Sequence, residues 1–230
     1  MLRIKTLAIV TLACILSACS NAEKKEEVNK NTSGRPARAA AKAIQDTIQN
    51  VLFFGTSLTA GYGLEDQAQA YPALIQKKIE ALNLPYRVIN AGLSGETSAA
   101  GKTRIDWLLK QPVSVFVLEL GANDGLRGLS VKQTSRNLQA VIDRVKKKNP
   151  EAKLLMLGMQ MPPNMGAKYT TEFKELFSNL ASKNQMAYVP FLLEGVGGVP
   201  KLNQQDGIHP TAEGQKILAE NVWKELEGLL

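Results

Sequence analysis

The sequence predicts an α/β protein in which a parallel sheet is covered by helices on both faces, a three-layer sandwich. Two observations carry this. From Val51 onward, short apolar runs alternate with longer amphipathic stretches, and strand, helix, strand units of those lengths pack as parallel crossovers. Each glycine-containing polar cluster also falls shortly after an apolar run, where open parallel sheets place their ligands. At 230 residues the chain has room for one such domain, and its composition is that of an ordinary globular protein.

The predicted strands are 51 to 54 (VLFF), 86 to 90 (YRVIN), 113 to 120 (VSVFVLEL), 153 to 159 (KLLMLGM) and 186 to 191 (MAYVPF). Helices are expected between them at 67 to 83, 96 to 110, 130 to 148 and 169 to 184, with a last one at 211 to 228. Trp107 and Trp223 fall on helices and are expected in the core. Lys146, Lys147 and Lys148 close the third helix, where cations suit the negative end of the macrodipole.

Residues 1 to 18, MLRIKTLAIVTLACILSA, begin with Arg3 and Lys5 and continue in an apolar stretch too short for a convincing membrane span. That is the pattern of an export signal. It ends in LSAC, 16 to 19, which resembles the lipobox of bacterial lipoproteins and implies a lipid anchor on Cys19 and a place in the bacterial cell envelope. The alternative is cleavage after Ser20-Asn21-Ala22 to give a soluble secreted protein. Residues 19 to 49 are polar and read as a tether, so the folded domain is expected at 50 to 230. Cys14 is lost with the leader, which leaves no intramolecular disulfide and a domain held by its core.

The formal charge is +7, and without Arg3 and Lys5 the chain keeps 26 basic against 21 acidic side chains. No stretch interleaves aromatic with basic residues, so nucleic acid is not expected as a partner. A zinc site built on histidines needs more than the one histidine present, and no metal is expected.

The stretch FFGTSLTAGYG, 53 to 63, places Ser57 and two threonines among three glycines after the first strand. Such a junction can present a nucleophile or cradle a phosphate. The second strand is followed by Gly92, the third by Asn123 in GANDG, the fourth by MQMPPNMG (159 to 166), and beyond the fifth lies DGIHP (206 to 210). Taken singly, Ser57 reads as a helix N-cap, Asn123 as a turn residue and Gly92 as a positive-φ glycine. Asp206 and His209 taken as a pair could cap the last helix, with Pro210 at its first position. Together they supply a nucleophile, the only histidine as base, a carboxylate three residues away to orient it, and donors for an oxyanion.

Four blocks in order, FFGTSLTAGYGL, NAGLSGETSA, LGANDGLRGL and DGIHP, resemble the SGNH or GDSL-type hydrolases, most closely their acyl thioesterase, lysophospholipase and arylesterase branch. The resemblance implies a flavodoxin-like sandwich whose five parallel strands are ordered 2-1-3-4-5. It makes Ser57 the nucleophile, His209 the base and Asp206 its orienter, with the Ser57 and Gly92 N–H groups and the Asn123 side-chain amide as the oxyanion hole. One departure is visible: Thr56 stands where the family motif has aspartate.

The expected chemistry is hydrolysis of an aryl ester, lysophospholipid or acyl thioester through an acyl-enzyme, with no cofactor. Leu126, Met161, Pro162, Pro163 and Met165 are candidates for an acyl groove, the alternative being loop packing. Three other functions remain open at this point: a carbohydrate O-acetylesterase with the same mechanism, a flavodoxin-like FMN protein and a non-catalytic envelope binder.

Overall fold

The computed structural model describes residues 48–230. The export signal, Cys19 and all of the expected tether before Ile48 lie outside the described residues. The tether boundary at 49 falls inside the first strand, because β1 runs Gln49–Gly55 and is buried from Asn50 onward.

The other strands are β2 (Tyr86–Gly92), β3 (Val115–Glu119), β4 (Lys153–Leu157) and β5 (Ala187–Val189). They form a single parallel sheet in the order β2-β1-β3-β4-β5. Central β1 lies between β2 and β3, so Val51 faces Val88 on one side and Val115 on the other, and Gly55 is level with both Gly92 and Glu119. Phe53, Phe54, Phe116 and Leu118 are fully buried in these two central strands, each burial contributing about 1.5 to 3 kcal/mol.

Seven helices accompany the strands among the described residues: α1 (Ser57–Ala60), α2 (Tyr71–Ala81), α3 (Ser98–Leu108), α4 (Ala122–Leu126), α5 (Val131–Lys148), α6 (Ala167–Asn184) and α7 (Ala212–Leu226). Helix α2 packs on α7, α3 on α5, and α5 on α6. Their starts are chemically marked. The side chains of Thr97, Ser130 and Thr211 accept backbone N–H bonds at the entrances of α3, α5 and α7, and Pro72 sits in the first turn of α2.

Three expectations change. Helices α1 and α4 are not predicted by the sequence pattern, since four or five residues are too few to display a helical period. Thr211, not Asp206 or His209, caps α7, and Pro210 precedes the helix in a bridge with Asn203. Trp107 is 66% exposed, because α3 turns Ser98, Gly101 and Ile105 inward and leaves Trp107 on the other face. Trp223 packs partly buried against the core, with Lys78 Nζ 5.6 Å from its ring centroid.

Candidate active site

The loop that carries Ser57 is set by the end of β1. Gly55 approaches its neighbours so closely that a Cβ there would collide with the Thr59 hydroxyl and the Glu119 carboxylate. Thr56 occupies the N-cap position of α1, yet its side chain makes no capping bond; its N–H and hydroxyl go to Glu119 instead. Ser57 is the first residue of α1, where a backbone N–H has no partner within the helix.

Across the rim, Asp206 and His209 form a compact turn around Gly207, whose φ is +69°. Asp206 Oδ1 accepts the N–H groups of Ile208 and His209 at 2.9 and 3.0 Å. Its Oδ2 lies 2.6 Å from His209 Nδ1, and His209 Nε2 lies 2.8 Å from Ser57 Oγ. The Tyr62 ring lies against the imidazole with centroids 4.7 Å apart. The backbone N–H of His209 first, then its ring, then the N–H of Ile208, hold the Asp206 carboxyl down at about 2. Asp206 is therefore a carboxylate at neutral pH and can only accept a hydrogen bond from Nδ1–H, which favours the imidazole tautomer whose Nε2 lone pair faces the serine.

Asn123 sits in α4 and donates Nδ2–H to the Glu96 carbonyl at 3.0 Å, which fixes the amide and leaves its second N–H for the cavity. Glu96 in turn receives Arg104 Nε and Nη2 at 2.7 and 2.5 Å, and Arg104 Nη2 also donates to the Ala91 carbonyl. Gly92 is placed differently from Ser57 and Asn123. Its N–H donates to Asn90 Oδ1 at 3.0 Å, and it does not line the cavity. The glycine is required because a Cβ would run into the backbone of α1 at Ala60, not because of a positive φ.

A cavity of about 570 Å³ opens beside Ser57, His209 and Asn123. Leu126, Met161, Pro162 and Pro163 line it. Met165 does not: it closes the short turn Pro163–Met165 and packs against the core. The remaining wall was missed from sequence. Met159, Phe191, Leu193 and Ile208 face the same space; the predicted fourth and fifth strands included Met159 and Phe191, but β4 ends at Leu157 and β5 at Val189, which frees both residues for the rim.

Beneath the loop, Glu119 is 1% exposed. Its carboxyl is pushed up to about 7, by burial first, against the hydrogen bonds from Thr56 and Thr59 that favour the charged form. The apolar run VSVFVLEL predicts only a buried strand here, and its lone carboxylate is the signal in the sequence that points to Glu119.

Fold and site together define an ester hydrolase of the SGNH type, with Ser57, Asn123 and the Asp206–His209 pair brought to one cavity from three separate segments. The chain belongs to the GDSL-like Lipase/Acylhydrolase family, whose model matches residues 53–217. It is similar to the esterase TesA of Pseudomonas aeruginosa, 43% identical over 187 residues, covering 81% of this chain and 92% of that one. It is also similar to the thioesterase 1/protease 1/lysophospholipase L1 of Escherichia coli K12, 38% identical over 194 residues, with 84% and 88% covered. A crystal structure of TesA superposes with a TM-score of 0.76 at 43% identity, covering 79% of this chain and all of the other. The chain is a serine ester hydrolase.

Proposed function

We propose that Ser57, His209 and Asp206 are the catalytic residues of a two-step acyl transfer. His209 Nε2 takes the Ser57 proton as Oγ bonds to the carbonyl carbon, then delivers it to the departing alcohol or thiol. Water, deprotonated by the same nitrogen, next attacks the acyl-serine and releases the carboxylic acid. The observation that carries this reading is the continuous chain from Ser57 Oγ to Nε2 at 2.8 Å and from Nδ1 to Asp206 at 2.6 Å. The developing oxyanion takes the Ser57 N–H and the free Asn123 N–H, while the Gly92 N–H is engaged by Asn90 Oδ1. A flavin-binding or passive role leaves this chain of three groups without a task.

The substrate is an ester or thioester with an apolar acyl chain. Met159, Met161, Pro162, Phe191 and Leu193 make the cavity wall apolar, and methionines accommodate chains of varied length. A carbohydrate O-acetylesterase would have little use for that wall. The chain acts in the bacterial envelope, tethered through Cys19, as the LSAC block supports. The test is hydrolysis of p-nitrophenyl esters from acetyl to dodecanoyl by wild type and Ser57→Ala, with phosphonate labelling of the serine. Longer chains are favoured and the variant is folded but inactive; full activity without the hydroxyl refutes the assignment.

A further inference from the structure

The nucleophile loop encloses one ionisable group that the acyl-transfer steps do not use. Glu119 ends β3 level with Gly55 and is buried. Among the described residues it belongs to no ion pair. A carboxylate withdrawn from water is costly unless hydrogen-bonded, so for stability alone an apolar residue would serve. Here the compensating donors come from the two threonines that flank Ser57. Thr56 donates its N–H to Oε2 at 2.8 Å and its hydroxyl to the two oxygens at 3.0 and 3.1 Å. Thr59 donates its hydroxyl at 2.8 Å and lies 2.7 Å from the Tyr71 hydroxyl.

We propose that Glu119 is a positioning residue for Ser57: by gripping Thr56 and Thr59 from below, it holds the serine hydroxyl in line with the imidazole. The proposal rests on the reading of Ser57 as nucleophile. Helix α1 has only four residues and no side-chain cap, too little to hold its own geometry. The carboxylate substitutes for that missing support. The network also extends toward the base. Tyr71 donates its N–H to Gln215 Oε1 at 2.9 Å, and Gln215 lies on α7, the helix that follows His209.

Of the elements around Glu119, β1 contributes Gly55 and α1 the two threonines, while β4 pairs with β3 as far as Leu118 with Met156. Among the described residues, the ionisable group that faces the network is Tyr71 of α2. Burial brings the Glu119 titration to about 7. Once protonated, Glu119 must donate its own O–H to a threonine oxygen, which reverses that hydroxyl and slackens the grip. Glutamine copies this neutral form in shape.

The experiment measures kcat and KM for a p-nitrophenyl ester from pH 5.5 to 8.5, with the rate of phosphonate labelling and thermal melting, for wild type, Glu119→Gln, Glu119→Met, Thr59→Val and Ser57→Ala. At pH 8, Glu119→Met lowers kcat about 100-fold with KM nearly unchanged, as expected for a nucleophile displaced by about 1 Å. Glu119→Gln rescues most of that loss, and its kcat converges on wild type as pH falls through about 7. Thr59→Val loses kcat several-fold, and labelling slows in parallel in every case. If Glu119→Met does not fold, the glutamine and valine variants decide. Wild-type kcat in both at pH 8, or losses that merely follow the folded fraction, overturns the proposal. Full activity in Ser57→Ala overturns the nucleophile reading instead.

Discussion

Replacing Asp206 by asparagine isolates the electrostatic part of the base from its geometry. Asparagine Oδ1 can still accept the Ile208 and His209 N–H groups, so the turn keeps the two bonds at 2.9 and 3.0 Å that shape it. What changes is the contact at 2.6 Å with Nδ1, where an amide N–H now donates. Nδ1 must then accept, the proton moves to Nε2, and the nitrogen facing Ser57 Oγ can no longer take the serine proton. For a buried triad aspartate the same exchange costs about 10⁴ in kcat. The Asp206 side chain is 39% exposed, so water screens its charge and can assist the ring in regaining the productive tautomer. The expected loss is therefore about 10² to 10³ in kcat, or about 3 to 4 kcal/mol in activation free energy, with KM and melting temperature little changed. Steady-state hydrolysis of a p-nitrophenyl ester at pH 8, with circular dichroism to monitor folding, measures it. An asparagine variant keeping more than a tenth of wild-type kcat would refute the role assigned to this carboxylate.

Two further outcomes follow from the same geometry. Asn123→Ala removes the amide that Glu96 holds at 3.0 Å and lowers kcat by about 10² to 10³ with little change in KM; an unchanged kcat removes Asn123 from the oxyanion hole. Glu119→Gln alters how stability depends on pH: with the folded carboxyl raised from 4.5 to about 7, the folded state holds a proton that the unfolded chain has released, so wild-type stability falls as pH rises through that window. Relative to the glutamine variant the fall is about 2 to 3 kcal/mol between pH 5 and 8, read by urea unfolding, and parallel profiles would refute it.

The sheet was legible because strands buried on both faces appear as uninterrupted apolar runs, and β1, β3 and β4 are such strands. His209 was legible by elimination, being the only histidine, and Asp206 by its spacing. The supporting groups were not. Glu119 finds its donors only through the β1 and β3 register that sets it beside Gly55. Arg104 reaches Glu96 and Ala91 only once α3 has folded back over the β2 end. Local pattern also misplaced Met165, which shares a segment with Met161 but is turned toward the core by the short helical turn at Pro163–Met165. Trp107 failed for a related reason: size and apolarity suggested burial, while the phase of α3 around Gly101 and Ile105 decided against it.

Thr56, the one visible departure from the family motif, acquires a reason from Glu119. An aspartate at that position would set a second carboxyl beside a buried one, and two such groups a few ångströms apart keep a shared proton. Threonine offers a hydroxyl that donates to both Glu119 oxygens, at 3.0 and 3.1 Å. The loop can then be gripped by a single ionised carboxylate with no proton shared between acids. In the proposed role of Glu119, the ionised carboxylate alone accepts the Thr56 N–H and the Thr56 and Thr59 hydroxyls, so threonine at this position lets one acid hold the Ser57 loop where an aspartate would add a second.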